Sequence, residues 1–321
     1  NMKKSLLGLA VIVLIFGTSV TNALTISPAR VEISADPGTT VSGVLTLMNE
    51  EGYEKVYYSS SQNFEAQGES GTPAFTSSNE GLASWINLSP SLSFTKGKGQ
   101  EMKVPFTITV PKDADPGGYF AAIFFSTIPS VGKGDVSVGA KVGSLVLLHV
   151  NGNIKQDASI LGFTTTDNSF FYTALPISFS YRFNNNGGDR INPTGSITIR
   201  DTVWITTTKL AANPTQGNIL PGSVRKFTVT WGDDSTSVPT NFFEAVKYEW
   251  DNFALGFYSA NLSLTYGADG SARATKWIFV FPWQLVIVMT IISIIILTLL
   301  VKGIKRYNLW VIKTAGKRYN H

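Results

Sequence analysis

Apolar and polar positions alternate through most of the middle of the chain. Over residues 41–48, Val41, Gly43, Leu45 and Leu47 fall on one face, and Ser42, Thr46 and Met48 on the other. A period of two belongs to a strand whose two faces meet different surroundings. Asn49-Glu50-Glu51-Gly52 reads as a turn and Lys55–Ser60 as the return strand. Residues 65–83 are rich in Gly, Ser, Glu and Thr and read as a loop or a small exposed hairpin. Trp85–Leu88 and Met102–Val110 are further strands, the second with Val104, Phe106, Ile108 and Val110 on one face. The Pro- and Gly-rich stretch 111–118 is a turn. Tyr119–Phe125 is almost wholly apolar, as in a central strand covered on both faces. Val136–Val150 closes this first block, with Gly139 and Gly143 as candidate bulges.

Residues 151–276 repeat the plan. Ile177, Phe179, Tyr181 and Phe183 alternate with Ser178, Ser180, Arg182 and Asn184, and Asn185-Asn186-Gly187-Gly188 turns the chain. Phe227, Val229 and Trp231 share a face, and so do Tyr258, Ala260, Leu262 and Leu264. Three places match between the halves. An early strand ends at an Asn-containing turn (Leu47-Met48-Asn49; Arg182-Phe183-Asn184). A Gly turn precedes a strand (residues 96–99 before Met102; Pro221-Gly222 before Phe227). A Gly-aromatic pair opens a late strand (Gly118-Tyr119; Gly256-Phe257). These matches predict two copies of one module. The expected fold is all-β: two tandem immunoglobulin-like β-sandwich domains, residues 24–150 and 151–276, followed by one transmembrane helix.

That helix is expected at 277–301, because Ile278–Val301 carries no charge and a bilayer core needs about 20 apolar helical residues. Trp277 and Trp283 at one end, and Tyr307 and Trp310 past the other, read as interface anchors. The tail 302–321 holds Lys302, Lys305, Arg306, Lys313, Lys317 and Arg318 and no acid. The positive-inside rule therefore puts the tail in the cytoplasm and the sandwiches outside, on a single-pass protein of the cell membrane. At the other terminus, Lys3 and Lys4, the apolar run Leu6–Phe16 and Thr21-Asn22-Ala23 have the order of a secretory signal over residues 1–23.

Charge changes this picture little. The chain holds 26 Lys+Arg against 22 Asp+Glu, but eight of the bases lie in the two terminal segments, which carry no acid. The middle is thus mildly acidic, with no footprint for nucleic acid. There are no cysteines and two histidines, His149 and His321, which removes disulfides and Cys/His zinc sites. No cofactor is implied.

The stretches ISPARVEISADPGTTVSGVLTLMNEEG (26–52), KGQEMKVPFTITVPKDADPGGYFAAIFF (98–125) and VGSLVLLHVNG (142–152) resemble the WxL-interacting protein family of Gram-positive bacteria. The order of signal, two immunoglobulin-like domains, span and basic tail resembles it too. The resemblance is good over 24–150 and weak over 151–276. It implies a first domain that binds peptidoglycan, a second that binds surface or host proteins, and a partner with a WxL domain.

Catalytic chemistry finds no constellation here. His149 lies in an apolar strand pattern, Glu65, Glu69 and Glu80 in the loop-rich stretch, and the pairs Asp113/Asp115 and Asp233/Asp234 read as turn caps rather than calcium ligands. Catalytic, cofactor and metal residues are therefore expected to be none, and the protein is not expected to be an enzyme. The candidate partner-binding aromatics are Tyr53, Tyr57 and Tyr58 near one hairpin, and Phe242, Phe243, Tyr248 and Trp250 before the last strand. The second group either forms a binding patch or plugs the end of its sandwich. The expected function is binding of cell-wall polymer or another envelope protein, with the bilayer met through one span. The alternative is an envelope assembly factor that pairs a sheet edge with a strand of a client.

Overall fold

The structure, a computed structural model, describes residues 24–50, 55–76, 80–89, 91–94, 100–128, 141–203, 205–233 and 239–318. The residues of the expected signal, Tyr53, Gly139, Asp234 and His321 lie outside these. The chain divides into two compact units, the first formed by residues up to 65 and 73–154, the second by 66–72 and 155 onward.

In the first unit β1 (Leu24–Ser27), β3 (Thr40–Asn49), β8 (Gln100–Thr109) and β6 (Ile86–Leu88) form one sheet in that order. The facing sheet runs β2 (Arg30–Ala35), β10 (Lys141–Val150), β9 (Gly117–Ser126), β4 (Lys55–Gln67) and β5 (Thr72–Thr76), with β7 (Ser91–Phe94) also on β4. A single turn of helix, α1 (Leu82–Trp85), precedes β6. The inward residues named by the alternation are the core: Leu45, Leu47, Val104, Phe106, Ile108 and Val110 are all buried. Residues 65–83 are more ordered in structure than a loop, because β4 continues to Gln67 and turns back as β5. Gly143 makes no bulge; β10 and β9 pair without a register shift from Lys141 to Val150.

The second unit packs β11 (Ala158–Thr165), β13 (Ile177–Asn185) and β16 (Ser223–Trp231) against a sheet of β12 (Phe171–Tyr172), β18 (Gly270–Val280), β17 (Gly256–Tyr266), β14 (Thr194–Arg200) and β15 (Thr206–Ala211). Its core holds Phe179, Tyr181 and Phe183, all fully buried. The Tyr181 hydroxyl donates to the Ala212 carbonyl at 3.0 Å, which satisfies the one polar atom on that ring. Burial raises its pKa above the ordinary tyrosine value.

The three sequence matches fall on equivalent strands. β3 and β13 pair with β8 and β16, and β9 and β17 pair with the last strands β10 and β18. Each unit also opens alike: its first strand lies in one sheet, and the next crosses to pair in parallel with the last strand of the other (Leu145↔Arg30; Phe171↔Phe279). Each early strand ends on a fully buried Asn, Asn49 and Asn185. These are two immunoglobulin-like β-sandwiches.

α2 (Phe242–Asp251) and α3 (Trp283–Arg318) complete the second unit. Trp277–Val280 belongs to β18 rather than to the apolar helix, because Phe257↔Phe279 and Gly256↔Val280 continue the ladder with β17. The expected helix start at 277 is therefore corrected to Trp283, just past Pro282, whose carbonyl accepts the first helical bond from Val286 N–H at 3.0 Å. Trp283–Val311 is long and apolar enough to cross a membrane, with 6% of its most apolar stretch buried. A core helix would be mostly covered. α3 runs on through the basic residues to Arg318.

Candidate functional site

The open margin of the three-stranded sheet is the main surface of interest. β16 is a nine-residue strand with β13 on one side and no strand on the other among the described residues. Its register is held by Phe227, Val229 and Trp231, which turn into the core, while Lys226 and Thr228 face solvent. Backbone groups alternate in direction along a strand. Lys226 N–H points away from β13, since it donates to the Glu69 carbonyl at 2.8 Å. By the same alternation the main-chain groups of Thr228 and Thr230 point outward too. The tip Ala66–Thr72, which clusters with this unit, thus meets the margin through the main chain at one end. Arg182 bonds the Glu69 carboxylate through Nε and Nη2. That bond holds the Glu69 carboxyl below its usual range. Beyond Lys226 no strand pairs with the margin among the described residues. The companion margin, β15, is shorter and carries Lys209 at its centre, a common guard against strand addition.

The aromatic candidates scatter. Tyr57 is 2% exposed and packs in the first core, so it presents no surface. Tyr58 follows it on the other face of β4 and is half-buried; neighbours in a strand cannot share a face. Phe242, Phe243, Tyr248 and Trp250 lie together on α2. They do not plug the sandwich: Phe243 is 81% and Trp250 62% exposed. Of the expected anchors, Trp283, Tyr307, Trp310, Lys302, Lys305 and Arg306 are exposed on α3, with the Tyr307 and Trp310 rings 6.1 Å apart. Trp277 is exposed on β18, opposite Ser259, and so sits on the sandwich.

Periodicity alone does not reveal α2, yet its start is written plainly in the local sequence. Asn241 Oδ1 accepts from Glu244 N–H at 3.0 Å. The Glu244 carboxylate reaches back to Thr240 N–H and O–H, at 2.9 and 2.7 Å. This is a capping box one residue wider than usual. α2 packs on the first turns of α3 through one buried acid. Glu249 is 2% exposed, and its Oε2 accepts from Leu285 N–H at 2.7 Å. A side chain of one helix thereby caps the orphan donors of the next. Burial raises the Glu249 pKa, against the pull of the Leu285 and Gln284 N–H groups.

The sign of the pH effect follows. A carboxyl raised in the folded state is more readily protonated there than when unfolded. The α2–α3 contact should therefore be tightest below the ordinary value of 4.5 and weaken as pH rises through the raised one. Hydrogen exchange of α2 amides, corrected for intrinsic rates, should show protection falling as pH rises. Glu249→Gln should abolish that fall and leave only the opposite, rising effect of the Glu244 cap, whose pKa is lowered by its bonds to Thr240; a fall surviving in that variant would exclude Glu249 as its source.

His149 lies in β10 between Ser34 and Gly118 of the neighbouring strands. Among the described residues no group of His, Cys, Asp and Glu has the arrangement of a metal site. Asp115 offers its backbone carbonyl to the Tyr119 hydroxyl at 3.0 Å, in keeping with a turn role.

No family model and no curated protein matches the chain. Among solved structures it is similar to the class 5 fimbriae chaperone CfaA, at 12% identity over 80% of this chain and 99% of that one, with a TM-score of 0.37. It is similar to the E. coli chaperone DraB at 12% identity, over 79% and 98% of the two chains, TM-score 0.34. A third similarity is to the CsuC–CsuE chaperone–tip adhesion subunit pre-assembly complex of archaic chaperone-usher Csu pili from Acinetobacter baumannii, at 13% identity over 81% and 99%, TM-score 0.36. So loose a likeness assigns neither activity nor partner.

Proposed function

We propose that the chain is a non-enzymatic, single-pass envelope protein that holds a partner protein by adding a strand of that partner to the open margin of β16. The observation that supports this is the run from Thr228 to Trp231, with outward main-chain donors and acceptors and no neighbouring strand among the described residues. Strand addition draws affinity from main-chain bonds and specificity from alternate side chains. The sandwiches lie outside and the basic end of α3 inside the cell, supported by Lys302, Lys305 and Arg306. Membership of the WxL-interacting family is part of this proposal, supported by the segments 26–52, 98–125 and 142–152.

Thr228→Pro tests the margin. Proline removes an outward N–H and leaves the bonds to β13 in place. A photo-crosslinker at Thr230 should trap an envelope protein in cells, and Thr228→Pro should cut that product several-fold, as loss of a main-chain bond worth about 0.5–1.5 kcal/mol implies. Thr228→Ala should leave it unchanged. An equal yield from the proline variant would refute the margin as the binding surface. If the chain instead pellets with purified sacculi whether or not Thr228 is changed, wall polymer is the better reading.

A further inference from the structure

The exposed apolar residues of the second unit are concentrated at one end. On α2 and the loop after it stand Phe243, Trp250, Phe253 and Leu255. From the β14–β15 loop come Val203, 68% exposed, and Ile205, 62%. Phe170 comes from the loop before β12, and Phe171 opens β12 itself. Local bonds place all of these at the same end. Thr202 Oγ1 donates to the Phe257 carbonyl at 3.2 Å, and Phe279 N–H to that of Phe170 at 2.8 Å. The Phe257 and Phe279 rings are 4.6 Å apart. This is the end where β18 gives way to α3.

Depth then decides what covers these residues. At about 1.5 Å per residue, the uncharged part of α3 from Trp283 to Val301 is about 28 Å long, close to the ~30 Å hydrocarbon core of a bilayer. α3 has none of its apolar length to spare, so Trp283 must stand at the hydrocarbon boundary. Only Phe281 and Pro282 separate it from β18, and Pro282 is buried. The Glu249–Leu285 bond sets the C-terminal end of α2 at the level of the first helical turn. Trp250, Phe253 and Leu255 line one groove with Met289, Ile294 and Leu297 of the span itself. Such a placement leaves them nowhere but in the headgroup and upper acyl layer.

We infer that this end of the second unit is itself seated in the bilayer: α2 lies in the interface beside α3, and the Phe170–Phe171 and Val203–Ile205 loops dip in around it. Aromatic and aliphatic side chains on a flat-lying helix gain by such immersion. The ionisable groups on α2 and the Phe170 loop are Asp167, Glu244, Asp251, the buried Glu249 and Lys247. The acids outnumber the base, so the seat needs no anionic lipid. The inference rests on α3 spanning the membrane, and the experiment separates the two.

The chain has no cysteine, so single cysteines can be spin-labelled without background. Labels at Val203, Phe253, Ile295 and Ala268 would be compared in phosphatidylcholine vesicles. Ala268 is exposed in the β17–β18 turn, at the other end of that ladder from Gly256↔Val280. Labels at 203 and 253 should be severalfold more accessible to dissolved oxygen than to a water-soluble nickel complex, as should 295, with 268 reversed. A lipid signal at 295 with 203 and 253 as water-exposed as 268 overturns the inference and leaves the span intact. Loss of the signal at 295 overturns both. A seat that appears only when anionic lipid is added would overturn its stated chemistry.

Discussion

Phe106→Ala is expected to cost the first sandwich about 3–5 kcal/mol, the range for emptying a fully buried phenylalanine site. Domains are stable by only about 5–15 kcal/mol in all. Phe106 is 1% exposed and lies opposite Gly43 in the β3–β8 ladder. The reason for that glycine is the ring: a Cβ at position 43 would stand 2.3 Å from the Phe106 Cζ. Gly43→Ala should therefore destabilise too, since the ring would have to leave its rotamer. In a Phe106→Ala background the same change should cost much less, because the atoms it strikes are gone. A cycle of the four proteins, read by urea unfolding and by hydrogen exchange of β3 and β8, measures the coupling. Additive costs would mean that the ring does not depend on the space above Gly43.

Gly195→Ala should be at least as damaging to the second unit, by about 4 kcal/mol or more. Gly195 has φ +149, and a Cβ there would lie 2.0 Å from the Ser263 carbonyl oxygen and 3.0 Å from Leu264 Cα. Those are backbone atoms of the central strand β17, fixed by its ladder with β14 on one side and β18 on the other. Neither can give way without breaking a sheet. Gly222→Ala is the control. Its φ is +67, yet nothing lies within 4 Å of the added carbon. It should cost about 1–2 kcal/mol, the price of a left-handed residue alone. Exchange of the β14 and β17 amides distinguishes the two. Equal effects would show that steric contact with β17 is not what requires glycine.

Period-two patterning made the core strands legible, since Leu45, Val104, Phe106, Ile177, Phe179 and Leu264 each had one side to hide. It could not separate a strand's apolar end from a helix's apolar start. Trp277-Ile278-Phe279-Val280 is equally suited to either, and only pairing with Gly256–Ser259, a partner known from the fold, makes it strand. For the same reason the alternation does not mark β18, whose Gly270–Lys276 half is small and polar. α2 left a local signal in Asn241 and Glu244 that short apolar spacing obscured. The parallel pairing of β2 with β10 joins residues over a hundred positions apart, beyond any local rule. The candidate margin was illegible because Phe227–Trp231 reads as any half-buried strand. Its lack of a second neighbour among the described residues is a property of the finished sheet.

The junction at Phe281-Pro282 has a physiological corollary. Many surface proteins are released by a cut in a loose stalk near the membrane. Here only Phe281 and Pro282 lie between strand and helix, and Phe281 N–H is bonded to the Tyr172 carbonyl at 2.8 Å. A protease working at that point would have to tear out the last strand of the sandwich. If α3 spans the membrane as proposed, shedding would destroy the very module it set free, and turnover should proceed by removal of the whole chain.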